Sequence, residues 1–160
     1  MRYLILLLCL GCASIQPPTG EMISGIEAIE IIKSVEPDAK ITGIRPDSKL
    51  TLLSSDWVWK VLNGNPFYGN EPAFNKSEGR NCTHYTKDTI DFIRDKIPNA
   101  AIGGVLLERY KKPLIGPLTY ERQAHHVVWI ITDKGLVLID AETISIMKID
   151  SNKPLNRFWY

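Results

Sequence analysis

An α+β fold is what this sequence predicts: N-terminal helices, then a cysteine-bearing helix packed on an antiparallel sheet. Three observations carry that reading. Apolar residues recur at helical spacing in the N-terminal half and gather into β-prone runs in the C-terminal half. The segment Thr132-Asp133-Lys134-Gly135 separates two such runs and reads as the turn of a hairpin. The 160 residues are 44% apolar and 23% charged, without internal repeats, which describes one domain with enough chain to bury a core. The formal net charge is +1 and Lys and Arg are scattered. That excludes a basic footprint for nucleic acid and makes the charges a solvated surface.

At the N-terminus, Met1-Arg2-Tyr3 precedes a nearly unbroken apolar run from Leu4 to Leu10. The run is about half as long as a bilayer-spanning helix and fits a signal-peptide core with Arg2 as its positive end. Cys9-Leu10-Gly11-Cys12-Ala13-Ser14 follows. Its Gly-Cys pair resembles a bacterial lipobox, although Cys9 stands where that pattern usually has Leu. The resemblance implies a lipoprotein-type signal peptide over 1–11, a lipidated Cys12, a tether over 12–22 containing Gln16-Pro17-Pro18-Thr19-Gly20, and a single domain over 23–160. The protein would then sit in the cell envelope, anchored by its N-terminal lipid and facing the periplasm or the exterior. An uncleaved anchor or a buried helix is the alternative for this segment. Of the three cysteines, cleavage removes Cys9 and lipid consumes Cys12, which leaves Cys82 as the lone thiol of an exported domain. Gly79-Arg80-Asn81 and Thr83-His84 around it are polar, unlike the setting of a cysteine that serves as a small hydrophobe.

The elements follow in order. Ser24-Gly25-Ile26-Glu27 has capping-box spacing, and Ile26, Ile29, Ile32 and Val35 continue it as an apolar helical stripe that Glu36-Pro37 closes. Lys40 to Ile44 alternates weakly as a strand, and Arg45-Pro46-Asp47-Ser48 is a turn. After apolar Leu50 to Leu53, Ser54-Ser55-Asp56 caps a short helix through Trp57, Trp59, Val61 and Leu62. From Asn63 to Arg80 the chain is rich in Asn, Gly and Pro, with Phe67, Tyr68 and Phe74 interspersed. Such a long loop is often functional, and here it leads into Cys82 as one wall of a cleft or is pinned down by its aromatics. Asn81 caps a helix from Cys82 to Lys96 that buries Ile90, Ile93 and Ile97. Ala101 to Tyr110 reads as a strand with Gly103-Gly104 as a bulge or close approach, and Lys111 to Gln123 as a second loop holding Pro113, Gly116 and Pro117. His125 to Ile131 and Leu136 to Asp140 form the hairpin, and Thr143 to Ile149 adds a strand. The aromatics of the tail Arg157-Phe158-Trp159-Tyr160 cover the core.

The order of chemistry-bearing residues is a thiol at a helix N-terminus, a histidine opening a strand, and an acid closing the next strand. A cysteine nucleophile works as thiolate. Helix N-terminal N–H groups and an imidazolium both favour that charge. Asp140 is placed to orient the ring, and the backbone N–H of Cys82 supplies half of an oxyanion hole. Trp59, Asn63, Asn65 and Asn75 are candidates for the second donor. Alternation lets only one of His125 and His126 share a face with Asp140. A turn of two or four residues selects His125. A three-residue Asp133-Lys134-Gly135 loop with a left-handed Gly135 selects His126.

From Asn81 through Thr143 the chain resembles the transglutaminase-like, papain-like cysteine peptidase superfamily. More narrowly, it is similar to the peptidase-like domain at the C-terminus of a fungal agglutinin, a domain also found in phage proteins. The matching residues are Cys82, then His125-His126-Val127-Val128-Trp129, then Leu138-Ile139-Asp140. Placing Trp129 on the pattern's Trp makes His125 the family histidine and Asp140 the acid. Asn81 and His84 stand where the group often has an acidic residue, His126 where it has a small one, and Asp140-Ala141 where it often has Glu-Pro. These departures bear on substrate preference. The resemblance implies a papain/transglutaminase-like core and a thiol hydrolase, peptidase or amidase, acting on a peptide, amide or peptidoglycan-type substrate with no cofactor and no metal. Two rival readings are a catalytically inactive envelope lipoprotein that binds a partner on the same fold, and zinc binding by Cys82, His84, His125 and His126. The second lacks zinc-site spacing.

Overall fold

The computed structural model describes residues 20–63, 81–113, 119–147 and 155–160. The signal peptide, Cys12, most of the tether, and the loop carrying Asn65, Phe67, Tyr68, Phe74 and Asn75 lie outside them.

The fold is α+β. In chain order the elements are β1 (Met22–Ser24), α1 (Gly25–Val35), β2 (Lys40–Thr42), β3 (Lys49–Thr51), α2 (Ser55–Asn63), α3 (Cys82–Arg94), β4 (Ile102–Pro113), β5 (Thr119–Thr132), β6 (Gly135–Asp140), β7 (Ser145–Met147) and β8 (Leu155–Trp159). β1 and β3 pair antiparallel, and a six-stranded sheet runs β2-β8-β4-β5-β6-β7. Within that sheet only the β2–β8 pair is parallel.

From Val127 to Ile131 β5 is covered on both faces, which is why this stretch reads as a continuous apolar run. Val128 and Ile130 pack with Tyr85, Ile90 and Ile93 of α3 and with Trp57, Val61 and Leu62 of α2. Val127, Trp129 and Ile131 pack on the other face with Ala28 and Ile32 of α1 and Phe158 of β8. Burying Phe158 completely contributes about 2–3 kcal/mol.

Local chemistry sets the helix starts. Ser24 and Glu27 form the expected capping box on α1, where Glu27 Oε2 accepts the Ser24 N–H at 2.6 Å. The buried line of α1 is Gly25, Ala28 and Ile32; of the expected isoleucine–valine stripe only Ile32 is on it, and Ile26 is 52% exposed. Gly25 explains the rotation: a Cβ there would lie 1.9 Å from the Arg45 carbonyl oxygen, so this face of the helix presses on the chain. The expected second loop is largely strand. β4 and β5 pair as far as Lys111↔Glu121, Lys112↔Tyr120 and Pro113↔Thr119, because a ladder is built from backbone groups and tolerates polar side chains. Gly103 is the expected close approach, with a built Cβ 2.2 Å from the Trp159 carbonyl oxygen, while the register shift of β4 falls later, between Leu106 and Leu107. The tail is a strand, β8, inserted between β2 and β4.

Candidate active site

Asn81 starts α3. Its Oδ1 accepts the N–H groups of Thr83 at 3.1 Å and His84 at 3.4 Å. His84 completes the cap: its Nδ1 accepts the Asn81 N–H at 3.3 Å, in the place where Glu or Gln usually stands. His84 is exposed, and this cap is its structural role. Cys82 is therefore the first residue of the helix, half-buried, in a turn whose N–H groups lack helical acceptors.

The hairpin register decides which histidine shares a face with Asp140. Thr132 pairs with Gly135, so the loop is Asp133-Lys134, two residues long. Gly135 does have a positive φ of 102°, but it belongs to the ladder. Trp129 opposes Leu138. Alternation from that pair puts His125 and Asp140 on one face and the His126 ring on the other.

His125 Nε2 lies 3.3 Å from Asp140 Oδ2, and both side chains are almost wholly buried. Asp140 is fixed from its other side, where Oδ1 accepts the Glu142 backbone N–H at 2.9 Å. Burial pulls the His125 pKa down, but hydrogen bonds to Asp140 and to the Cys82 thiol, with their negative charges, override it and raise the ring to about 9. Nε2 is the ring nitrogen that faces Asp140. The Cys82 pKa is lowered, first by that hydrogen bond with His125; burial opposes it, and the His126 backbone N–H and the His125 charge add to the lowering. The Glu142 charge works the other way and raises the thiol. His126 itself is lowered by burial and by the neighbouring His125 charge. The site is thus polarised toward a thiolate–imidazolium pair.

The structure brings Cys82, His125 and Asp140 together and keeps several other candidates apart. Trp59 lines a small cavity with Ser55, Val58, Thr132, Val137 and Ile139. The lining of that cavity runs along the hairpin from Thr132 to Ile139 and includes neither Cys82 nor His125, so the structure does not bring Trp59 to the thiol. Asn63 is exposed at the end of α2, and Asn65 and Asn75 are not among the described residues. Among the described residues no group of three His, Cys, Asp or Glu side chains is arranged to hold a metal ion, and His84 of the zinc quartet is turned to the cap. Two participants escaped the sequence reading, the His126 backbone N–H and Glu142. The first was hidden behind its own side chain. Glu142 carried a usable signal, its place two residues after Asp140, the spacing of an Asx turn.

No family model and no curated protein matches this chain. Its fold has a solved counterpart. A structure described as "PSL1a-E64 complex" aligns with a TM-score of 0.60 at 10% identity, over 87% of this chain and 50% of that one. The chain spans about half the length of that protein. At this identity the likeness is one of fold.

Proposed function

We propose that this protein is a thiol hydrolase, a peptidase or amidase of the papain-like and transglutaminase-like kind, exported and held in the cell envelope by a lipid on Cys12. The observation that carries the reading is the His125 ring, buried between the carboxylate of Asp140 at 3.3 Å and the thiol at the start of α3. Nothing in simple folding calls for a buried, charged imidazole bonded to a depressed thiol, and this combination clusters at functional sites. Among the described residues no helix is long and apolar enough to cross a membrane, so the anchoring part of the reading rests on Cys12 alone.

In this mechanism the Cys82 thiolate attacks the carbonyl carbon of the scissile amide and forms the S–C bond. The carbonyl electron pair moves onto oxygen, beside the Cys82 backbone N–H. His125 gives its proton to the leaving nitrogen, the C–N bond breaks, and a thioester remains. The now neutral ring takes a proton from water, the hydroxide adds to the thioester, and the S–C bond breaks. That returns thiolate and imidazolium and releases the acid. Asp140 keeps the ring oriented and supports its charge throughout.

The test is a substrate-profiling screen of the soluble domain against Cys82→Ser, with pH-resolved iodoacetamide alkylation of the thiol. The wild-type protein is expected to alkylate at pH 6 at least about tenfold faster than a free thiol of ordinary pKa and to show turnover that Cys82→Ser lacks. E64, found with the solved neighbour, is a second probe of Cys82. Ordinary thiol reactivity and identical profiles for the two proteins would sink the reading.

A further inference from the structure

One carboxylate of the site lies outside the triad. Glu142 stands in the turn that follows β6. Val128 pairs with Ile139, so Asp140 draws level with Val127 and the turn after it lies beside the two histidines. The Glu142 N–H is held by Asp140 Oδ1 at 2.9 Å, and the other oxygen of that carboxylate lies 3.3 Å from His125 Nε2. The backbone of Glu142 is thus tied directly to the group that holds the ring. The residue is only 7% exposed, and its charge reaches Cys82.

That placement is unfavourable in the free protein on two counts. A carboxylate loses hydration when buried. A like charge beside a thiolate works against the nucleophile. With the His125 imidazolium set against Asp140, the thiolate and Glu142 leave the site with an excess of negative charge. The basic residues on and just after α3 are engaged elsewhere: Arg94 donates to the Ile102 carbonyl at 2.9 Å and lies over the Tyr160 ring, Lys87 pairs with Asp91, and Lys96 lies over the Phe92 ring. A site of one sign attracts ligands of the other and rejects those of its own. When the sulfur bonds the scissile carbonyl carbon, the side chain nearest to it is that of the residue supplying the carbonyl.

We infer that Glu142 is a specificity-determining residue: its carboxylate selects amide substrates with a basic side chain on the residue that supplies the scissile carbonyl. The inference rests on the thiol-hydrolase reading and adds the charge of the substrate. A cation seated there offsets the Glu142 charge as the thiolate attacks, so the group that weakens the free nucleophile favours the bound substrate. A neutral or acidic side chain gains nothing from it.

Covalent labelling in EDTA, which keeps divalent cations out of the site, tests this. In methanethiosulfonate reagents the thiolate attacks the sulfur that carries the alkyl group, a disulfide forms, and methanesulfinate leaves with the electrons of the broken S–S bond. The trimethylammonioethyl and sulfonatoethyl forms differ in charge, and the ratio of their rates cancels the thiolate fraction. Against free mercaptoethanol as control, the wild-type ratio is expected to favour the cation by at least about tenfold, the low end of what charge of one sign around a cleft does to association. Acetyl-lysyl chloromethyl ketone, from which the thiolate displaces chloride, should outpace its acetyl-norleucyl counterpart by at least about tenfold on the same scale. Glu142→Gln should bring both ratios to within about twofold of the control, and Glu142→Asp, which keeps the charge, should retain most of each preference. If Glu142→Gln does not fold, the wild-type ratios against the free thiol still decide. Fast iodoacetamide labelling with either ratio at its free-thiol value, or ratios that survive Glu142→Gln, overturns charge selection alone. Slow iodoacetamide labelling at pH 6 takes down the thiol-hydrolase reading and this inference together.

Discussion

Asp140→Asn isolates the charge on which the site depends. In the native protein His125 is 1% exposed, and burial alone drags its pKa below 6.5. It stands at about 9 because of Asp140 and Cys82. That rise corresponds to about 3 kcal/mol favouring the protonated ring. At pH 7 the native ring is therefore mostly protonated. Asparagine keeps the shape and removes the charge. Burial then dominates, and the ring is neutral at pH 7. The thiol loses its imidazolium partner and its pKa climbs. NMR titration of the His125 ring and iodoacetamide rates from pH 5 to 10 read both changes. The expected result is a ring pKa below 6.5 and alkylation at pH 6 slower by at least about tenfold. A ring that still titrates near 9 in Asp140→Asn, or an unchanged alkylation profile, would refute the reasoning.

The same pair fixes the sign of the pH dependence of stability. A base raised on folding stabilises the fold below its unfolded pKa and loses that contribution as pH rises through its folded value, here about 9. A thiol lowered on folding stabilises above its unfolded pKa and loses that contribution as pH falls through its folded value. Between the two unfolded values, about 6.5 and 8.5, wherever the folded Cys82 is ionised, the pair holds its one proton on nitrogen in place of sulfur and the total is unchanged. Denaturant unfolding should therefore show little slope from this pair in that window. Stability should decline above it as His125 deprotonates, and below it as the thiolate is protonated.

Other substitutions separate the roles of neighbouring residues. His125→Asn should abolish fast alkylation at pH 6, whereas His126→Asn should leave it within about twofold, since only the His126 backbone N–H serves the sulfur. Glu142→Gln removes a charge that opposes the thiolate, so the alkylation profile should move to lower pH. Gly103→Ala would put a Cβ 2.2 Å from the Trp159 carbonyl and 2.7 Å from the Trp129 indole, whose N–H bonds that carbonyl at 3.1 Å; urea unfolding should show a loss of about 3 kcal/mol.

Much of this protein was legible in its sequence where chemistry is local. Ser24 with Glu27, Asn81 before Cys82, and the Asp133-Lys134 turn each act within a few residues, and the elements they start or join are where the spacing put them. The buried side of α1 was not fully legible, because Gly25 owes its burial to the close approach of Arg45 across the chain rather than to hydrophobicity. β8 was missed for a similar reason. Its place is set by pairing with β4 and β2, remote in sequence, and its polar Asn156 and Arg157 hide the alternation. The choice between His125 and His126 turned on the register of one turn, which composition leaves undecided and the Thr132↔Gly135 pair settles for the geometry.

The end of β6 ties these strands of argument together. After Asp140 the chain turns sharply: the Glu142 N–H bonds Asp140 Oδ1, the Thr143 N–H reaches the Asp140 carbonyl at 3.3 Å, and Ile144 takes a φ of 49°. A left-handed β-branched residue costs on the order of 1–2 kcal/mol, which the surrounding contacts must offset. The strained turn does three things at once. It ends the β6 ladder on β5 at Ile139. It frees the His126 N–H from strand pairing and so makes it available to the thiol. It clamps the carboxylate that holds His125. Had β6 continued by two residues in register, Ala141 would face His126 and take up the backbone N–H that now helps lower the thiol. The chemistry proposed for Cys82 therefore depends less on the three side chains being present than on one strand stopping where it does.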